Sequence, residues 1–528
     1  MKGQSRMLFR RVKPLEQILA TAEGKKGLPR SLGAVQLTLL GVGAIIGTGI
    51  FVLTAEAAQK AGPGMMVSFV LAALVCGVSA LCYAEMASMV PVSGSAYTYS
   101  YATMGEVVAW IVGWALILEY AVAASAVSVG WSGYFNGLLK EGLGLSLPPA
   151  LAQGAFAAPD GLINLPAVVI ALLVTALLIR GTKESASVNA VLVAIKVSAL
   201  ILFIILALPV MRMENFQPFA PLGLSGISAA AALIFFAYVG FDAVSTAAEE
   251  TKNPQRNVPI GLVGSLAICT IFYLLVSAGA IGAVDAQPVR DAAGVPFEPG
   301  SSDLAAQCTT FADGTAPLVC SREALAYVLR TLGHGQIGNL VGLAAFIALP
   351  SVVLMMLFGQ TRIFFVMSRD GLLPEKLSAI HPRYKTPYIV TMITGVFVTI
   401  AAAFFPVGKL ANISNSGTLF AFALVSIAVL VLRHKQPERH RPFRVPAVNI
   451  VAPLAVLGCA YLFFNLSGVT ELLFLGWALI GLIVYYLYGY RRSHLARGVV
   501  EVAERSPDAP PVPVPPMPGA PTPGGKQA

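Results

Sequence analysis

Apolar segments of about 20 residues recur along almost the whole chain, and no other feature restricts the fold so strongly. A helix that crosses a bilayer needs about 20 apolar residues, and a helix satisfies its own backbone groups in lipid. Of the 528 residues, 56% are hydrophobic and 12% charged, whereas soluble domains contain about 25% charged residues. The pattern therefore predicts an all-α polytopic membrane protein embedded in the lipid bilayer.

Twelve such segments are separated by polar or basic stretches. The predicted transmembrane helices cover residues 33–58, 65–90, 105–136, 163–179, 185–208, 226–248, 258–284, 338–366, 386–406, 412–433, 448–466 and 471–489. The first thirty residues are polar and basic, without the apolar core or small-residue cleavage site of a signal peptide. With no mitochondrial-type presequence either, we expect a bacterial plasma (inner) membrane.

The positions of the charges explain the formal net charge of +9. Most Lys and Arg residues fall before the first span and in alternate loops, as the positive-inside rule requires. This distribution predicts that both termini are cytoplasmic and that residues 286–337 face the periplasm, and it does not indicate nucleic-acid binding. The tail after residue 490 is rich in Pro, which is typical of a disordered extension.

The first and sixth spans both contain interruptions that a regular helix disfavours. The first reads Gly41-Val-Gly-Ala-Ile-Ile-Gly-Thr-Gly-Ile-Phe51, and the sixth contains Phe235-Phe-Ala-Tyr-Val-Gly-Phe-Asp242. Gly-interrupted helices at matching positions of two halves are the best sequence pointer to a transporter binding site. Span six lies five places after span one, and because five is an odd number the second half inserts upside down. We predict an inverted repeat of five and five helices, organised as segments 1–32, 33–208, 226–433, 448–490 and 491–528.

Each interruption predicts one pole of a binding site. Around Gly47-Thr48-Gly49, N–H groups at the start of a half-helix suit a carboxylate, although close helix packing through small residues is the alternative. Unpaired carbonyls at Phe236, Ala237 and Val239 suit an ammonium group. Phe236 is either an aromatic gate or an ordinary packing residue. The two poles together match an α-amino acid.

Few ionisable residues interrupt the spans. Lys196 is costly there, at about 2.5–3.5 kcal/mol on insertion scales, and is either a strut to backbone carbonyls or a titrating coupling residue. Glu119 is a candidate for the substrate pocket. Asp242 is a candidate for coupling or for capping the helix that restarts beside it. Glu85 lies nearer the predicted cytoplasmic end, where we expect a cheap interfacial charge.

The remaining chemistry-bearing residues do not form an enzyme motif. The sequence has no Walker loop, no zinc-protease motif and no supported catalytic triad, so we predict neither an enzyme nor a cofactor. Neither Cys spacing nor a His partner indicates a metal site. Cys308 and Cys320 share the predicted periplasmic loop, where a disulfide is chemically allowed, and we predict one.

Several motifs resemble the amino acid–polyamine–organocation superfamily, and specifically its cationic amino acid transporter family. They are Gly41 to Phe51, Ala61-Gly-Pro63, Cys82 to Tyr99, Gly113 to Tyr120, Phe236 to Glu250 and Gly359 to Pro374. The resemblance implies that the carboxylate of the substrate binds at Thr48, Gly49 and Ile50, next to Ile46 and Gly47. It implies that the amine binds at Phe236, Ala237 and Val239, that Glu119 belongs to the side-chain pocket, and that Lys196 couples transport to protons.

One position departs from the cationic members of that family. Leu349 lies where specialists for cationic substrates are thought to keep a small residue, so long Arg or Lys side chains are expected not to fit. We therefore predict a secondary transporter of L-amino acids, driven by proton symport with alternating access. The alternatives are an amino acid or polyamine antiporter on the same fold, a transporter-like membrane sensor and an integral membrane enzyme.

Overall fold

The computed structural model describes residues 11–13, 32–90, 95–181, 186–246, 251–311, 316–384 and 386–497. Within these ranges the chain is helical, and β-pairing is limited to isolated bridges. The helices of eight or more residues are α1 (Ala34–Ile45), α2 (Leu53–Ala61), α3 (Met65–Met89), α4 (Ser95–Thr103), α5 (Glu106–Leu143), α6 (Leu165–Arg180), α7 (Ala186–Ala207), α8 (Gly223–Ile234), α9 (Pro254–Ala283), α10 (Ala324–Thr331), α11 (Gly335–Arg369), α12 (Tyr388–Phe404), α13 (Val407–Lys435), α14 (Val448–Phe463) and α15 (Gly468–Val484).

The apolar segments of the sequence coincide with these helices. In the described residues, seven helical stretches are long and apolar enough to cross a membrane, and five shorter apolar helices accompany them. The protein is therefore an all-helical polytopic membrane protein. Most of the predicted N-terminal segment 1–32, the tail beyond residue 497 and the motif residues 91–94 and 247–250 lie outside the described residues.

Helix α5 is the centre of the molecule. In its most apolar stretch 83% of the residues are buried, against 22% for the last membrane-length stretch, Gly468–Arg492. Helices α11 and α13 pack along α5 over most of its length. A helix that is apolar on all sides must be enclosed by protein or lipid, so the burial identifies α5 as a core helix and α15 as a peripheral one.

Tryptophan side chains attach the peripheral α15 to the core. The indole N–H of Trp114 donates to the carbonyl of Trp477 and that of Trp477 donates to the carbonyl of Trp114, both at 2.8 Å. The two rings stack with their centroids 4.6 Å apart. Because buried indole N–H groups need a partner, this reciprocal pair fixes the register of α15 against α5.

We call the side of the molecule that includes residues 11–13 and the ends of α3, α11 and α13 the terminal face. The carboxylate of Glu85 there accepts hydrogen bonds from Arg433, at 3.0 and 2.6 Å, and from the backbone N–H of Val445, at 2.7 Å. Arg441 lies 3.3 Å away. Glu85 is completely buried, so the expectation of a cheap interfacial charge is wrong: the charge is buried and paired across helices.

The opposite side, which we call the loop face, is formed by residues 284–334 and the shorter loops beside them. Cys308 and Cys320 form a disulfide there, with their Cα atoms 5.6 Å apart. Helix α10 follows this crosslink and packs on α11. The other described cysteines, Cys76, Cys82, Cys269 and Cys459, are buried thiols.

Candidate functional site

The first span is broken where the Gly motif predicts, but over a shorter stretch than expected. Helix α1 ends at Ile45, Ile46 is extended, and Gly47 has φ −153° and ψ −145°. Helical structure resumes at once over Thr48–Phe51, because the N–H of Val52 reaches the carbonyl of Thr48 at 2.9 Å. The expected bend over Gly47-Thr48-Gly49 is therefore confined to Ile46 and Gly47.

The sixth span is broken in a different way. Helix α8 ends at Ile234 and tightens into a 3₁₀ turn over Phe235–Tyr238, after which Val239 is extended. Gly240 has φ +112°, and a Cβ at this position would lie 2.9 Å from the carbonyl oxygen of Ala44. Only glycine fits this positive φ without strain, so Gly240 allows the chain to turn against the end of α1.

The two breaks lie against each other in the core. A Cβ on Gly49 would come within 2.3 Å of the Cα of Ala237, so the backbones touch at a distance that no other residue permits. Thr48 and Phe236 are 1% and 5% exposed. Residues that are almost 190 positions apart in the sequence therefore meet in one buried site.

Tyr273 on α9 joins the two breaks, and the sequence analysis missed it. Its hydroxyl lies 2.9 Å from the carbonyl oxygen of Ile45 and 2.8 Å from that of Ala237. The carbonyl of Phe236 accepts from Val239 N–H at 3.2 Å, so the expectation of unpaired carbonyls at both positions is wrong. A carbonyl has two lone pairs, and each retains one acceptor direction. The sequence signal that could have found Tyr273 is a tyrosine within an apolar span, because a buried phenol hydroxyl needs a hydrogen-bond partner.

Lys196 on α7 supports the first break from the other side. Its ammonium group donates to the carbonyl of Gly43 at 3.0 Å, and the side chain is 2% exposed. Gly43 lies within the last turn of α1, where carbonyls lose their helical partners. This contact is the one expected if Lys196 is a strut to backbone carbonyls, and it is also compatible with a role in proton coupling.

Two buried carboxylates lie beside the second break. Asp242 accepts a hydrogen bond from the hydroxyl of Tyr120 at 2.8 Å. Glu119 is completely buried, and neither of its carboxylate oxygens has a hydrogen-bond partner among the described residues. The neighbouring Thr418 hydroxyl donates to the carbonyl of Ser414 instead. Asp242 lies close enough to Glu119 to act on it electrostatically, and the two carboxyl groups make this side of the site suited to a cation.

The wall of the first break is apolar. Val352 on α11 would contact a Cβ on Gly47 at 3.4 Å, and Gly130 on α5 leaves room for the methyl group of Thr48. Leu349, one turn before Val352, is 1% exposed. The hydroxyl of Thr48 is buried without a hydrogen-bond partner in the described part of the chain. The arrangement suits a ligand with one polar end and an apolar side chain, and Val352 is a second residue that the sequence analysis missed.

The structure thus brings most of the predicted site residues together around the two breaks. Ile46, Gly47, Thr48, Gly49 and Ile50 form one side, Phe236, Ala237 and Val239 the other, and all of them are buried. The Cys308–Cys320 disulfide lies apart, on the loop face. Among the described residues no group of three or more His, Cys, Asp or Glu side chains could hold a metal ion.

Comparisons with known proteins agree on one family. The amino acid permease family model matches residues 32–488. The chain is 47% identical over 497 residues to a branched-chain amino acid permease of Bacillus subtilis, covering 94% of this chain and 100% of that protein. It is 42% identical to a methylthioribose transporter of the same organism, covering 92% and 99%. A vacuolar cationic amino acid transporter of Arabidopsis thaliana is 36% identical, covering 79% and 65%.

Proposed function

The chain belongs to the amino acid permease family, and we propose that it is a secondary transporter that moves L-amino acids across the inner membrane by proton symport with alternating access. The observation that carries the proposal is the contact of two broken helices, Gly49 against Ala237, inside the core. Broken helices at the midplane offer N–H groups and carbonyls to a charged solute without exposing them to lipid. As a member of a transporter family, the protein is not an enzyme.

The two breaks suit the two charged groups of an α-amino acid. We assign the substrate carboxylate to Thr48, Gly49 and Ile50, where a half-helix begins and the Thr48 hydroxyl lacks a partner. We assign the ammonium group to the carbonyl side of the second break, at Phe236, Ala237 and Val239, beside the carboxyl groups of Glu119 and Asp242. Phe236 covers the site from the α8 side.

The side-chain pocket favours neutral substrates. Val352 presents a branched apolar group beside Gly47, and Leu349 is buried one turn before it on α11. Apolar walls hold apolar side chains by excluding water. The relative at 47% identity is named for branched-chain amino acids. We therefore place small and medium neutral L-amino acids, including branched ones, ahead of arginine and lysine.

The packing supports twelve spans arranged as an inverted repeat, 33–208 and 226–433, followed by two additional helices in 448–490. Helix α1 packs on α9, and α8 packs on α3; likewise α5 packs on α13, and α11 on α7. Exchanging each span with the one five places away in the other half converts each pair into its counterpart. We propose cytoplasmic termini, because Arg and Lys cluster on the terminal face, with the disulfide on the oxidising side.

Coupling to protons is assigned to Lys196 and Asp242. Lys196 holds the carbonyl at the end of α1, and Asp242 lies directly after the second break. A proton that binds either group changes the charge next to one break. The proton shifts the conformational equilibrium only if the two states bind it with different affinity. A group that is buried to a different extent in the two states has such a difference in affinity.

Uptake by proteoliposomes tests the function directly. We expect a proton gradient directed into the vesicle, with the acidic solution outside, to drive accumulation of leucine, isoleucine or valine, with weaker competition by arginine. Methylthioribose belongs in the panel, because one relative at 42% identity is named for it. Exchange without net accumulation would instead support an antiporter, and the absence of amino acid transport in a folded preparation would refute the proposal.

A further inference from the structure

A cavity of about 890 Å³ opens on the loop face, outside the buried site described above. Pockets that take small molecules have about 300–1,000 Å³, so this one is large enough for an amino acid with bound water. Its walls include residues of α2, α5 and the loop that leads into α10, and Val52 also lines it. The N–H of Val52 donates to the carbonyl of Thr48, so the cavity borders the short helix that follows the first break.

The α2 wall presents a carboxylate without an ion pair. Glu56 lines the cavity and makes no salt bridge with a described residue, and its Oε2 atom is buried without a hydrogen-bond partner. Asn136, on the α5 wall, has a buried Oδ1 atom that also lacks a partner. Both unsatisfied atoms are acceptors. Burial without a partner is costly, and the group that would satisfy either is a donor such as an ammonium ion.

The opposite charge comes from the loop wall. Arg322 lines the same cavity and is one of the charged neighbours of Glu56, yet the two do not form an ion pair. The guanidinium of Arg322 donates to the side chain of Gln153 at 2.6 Å, and it has no carboxylate partner within the described ranges. The other arginine of this wall, Arg330, is already paired with Glu323. Arg322 is therefore a cation available to an incoming carboxylate.

Two glycines hold Arg322 in this place. A Cβ on Gly133 would lie 2.7 Å from the carbonyl oxygen of Arg322, and a Cβ on Gly137 would overlap the carboxylate of Glu323. These positions, one turn apart on α5, let the loop lie directly on the helix. The backbone of Arg322 is thus packed directly on α5, two residues after the disulfide-bonded Cys320.

We propose that this cavity is a second, outer binding site for a zwitterionic amino acid, with the ammonium group at Glu56 and the carboxylate at Arg322. The inference rests on the proposed function, since the ligand is the transported substrate class. A carboxylate and a guanidinium that face one cavity without meeting each other match the two ends of such a ligand. The site collects the amino acid at the loop face before α2 moves to admit it to the breaks.

Equilibrium binding to the full-length chain in lipid nanodiscs tests the proposal. With radiolabelled L-leucine we expect two sites per chain in the wild type and one in Glu56→Gln and in Arg322→Gln. Glu141→Gln is the matched control, because Glu141 lines the same cavity but its side chain is 41% exposed at the rim; it should keep both sites. Gly49→Ala, which places a methyl group against Ala237, should lose the inner site and retain the outer one.

The outcomes separate the two proposals. One leucine site that Glu56→Gln leaves unchanged, in a variant that elutes and melts like the wild type, overturns the outer site while the transport function stands. No amino acid binding in any folded preparation refutes the transport function and the outer site together. A single leucine site accompanied by saturable sodium binding that Glu56→Gln abolishes would assign the cavity to a metal cation, and would also overturn the proposal.

Discussion

Lys196 is the residue whose charge most needs an explanation, because a lysine within a span costs about 2.5–3.5 kcal/mol on insertion scales. The 3.0 Å bond to the carbonyl of Gly43 offsets part of that cost. If this charge couples substrate to protons, Lys196→Gln should lose accumulation driven by a pH gradient and keep exchange that no longer depends on pH. Uptake and exchange in the same proteoliposomes measure both.

If Lys196 has a purely structural role, a different result is expected for Lys196→Gln. Binding and thermal stability should then fall together, since the Gly43 carbonyl loses its partner. Lys140→Gln on the exposed rim of the loop face is the control. A well-folded Lys196→Gln protein that still accumulates substrate along a pH gradient would eliminate the coupling role.

Tyr273 links two carbonyls that belong to different breaks, so its hydroxyl is expected to fix their relative position. Tyr273→Phe removes that donor and leaves buried carbonyls unsatisfied, at about 1–3 kcal/mol. We expect substrate affinity to fall by about tenfold, the equivalent of about 1.4 kcal/mol, in equilibrium binding. Tyr238→Phe is the matched control: its ring packs on Tyr273, 5.3 Å away, but its hydroxyl donates to Phe69. Equal losses in both variants would contradict the bridging role.

Leu349 is expected to limit the length of the substrate side chain. Its isobutyl group is buried on α11, one turn from the residue that borders Gly47. Leu349→Gly removes that volume, so arginine should compete with leucine uptake more strongly than in the wild type. Leu340→Gly, on an exposed face of the same helix, controls for the effect of glycine on α11. If wild-type uptake were dominated by arginine, the neutral preference would be wrong.

At the scale of elements, the segment around α10 depends on a buried ion pair. Glu323 precedes α10 and pairs with Arg330 within the helix, each side chain about 15% exposed. Burial raises the pKa of the Glu323 carboxyl above its ordinary value of 4.5, while the hydrogen bond from Arg330 works in the opposite direction. The folded protein therefore binds this proton more tightly than the unfolded chain, and the stability from this group falls as the pH rises from 4.5 through the raised pKa.

Replacing the carboxylate of Glu323 should remove this dependence of stability on pH. We expect the melting temperature of Glu323→Gln to depend less on pH than that of the wild type above pH 4.5, measured in detergent by dye labelling of the buried cysteines. Glu214 is exposed elsewhere on the loop face, so Glu214→Gln should keep the pH dependence of the wild-type melting temperature. A steeper decrease in Glu323→Gln would reverse the sign that burial predicts.

At the scale of the whole molecule, the two faces differ. The loop face has the 890 Å³ cavity, whereas the terminal face is joined by ion pairs: Glu85 with Arg433 and Arg441, Lys13 with Asp370, and Arg11 with Glu106. A buried ion pair that loses one partner costs about 3–5 kcal/mol. The proposed alternating access would require these contacts to be exchanged before the terminal face could open, and the structure has that face joined by them.

Weakening the Glu85 network should open the terminal face more often. In Glu85→Gln we expect the buried thiol of Cys82, one turn away on α3, to react severalfold faster with a small permeant thiol reagent. Glu375→Gln is the control, because its pair with Arg497 on the same face is exposed and such pairs contribute little. Unchanged labelling of Cys82 in a folded Glu85→Gln protein would show that this network does not hold the face closed.

The apolar helices and the places where two of them break could be predicted from local sequence. Lipid requires about 20 apolar residues for each helix and penalises every interruption, so hydropathy and the glycines of 41–51 and 235–242 are local signals. The cost of Lys196 and the apolar position of Leu349 are local in the same sense. Each can be judged from a window of a few residues without knowing what lies next to it.

The contacts between distant side chains and carbonyls could not be predicted from the sequence and are seen in the three-dimensional packing. Tyr273 reaches carbonyls of two other helices, and Glu85 is paired with an arginine 348 positions away. The unwound part of span one is limited to Ile46 and Gly47, and Gly49 in the helix that restarts there lies directly against Ala237. Hydrogen bonds and ion pairs between distant segments depend on where packing places the helices, and a single sequence has no periodicity that records such partners.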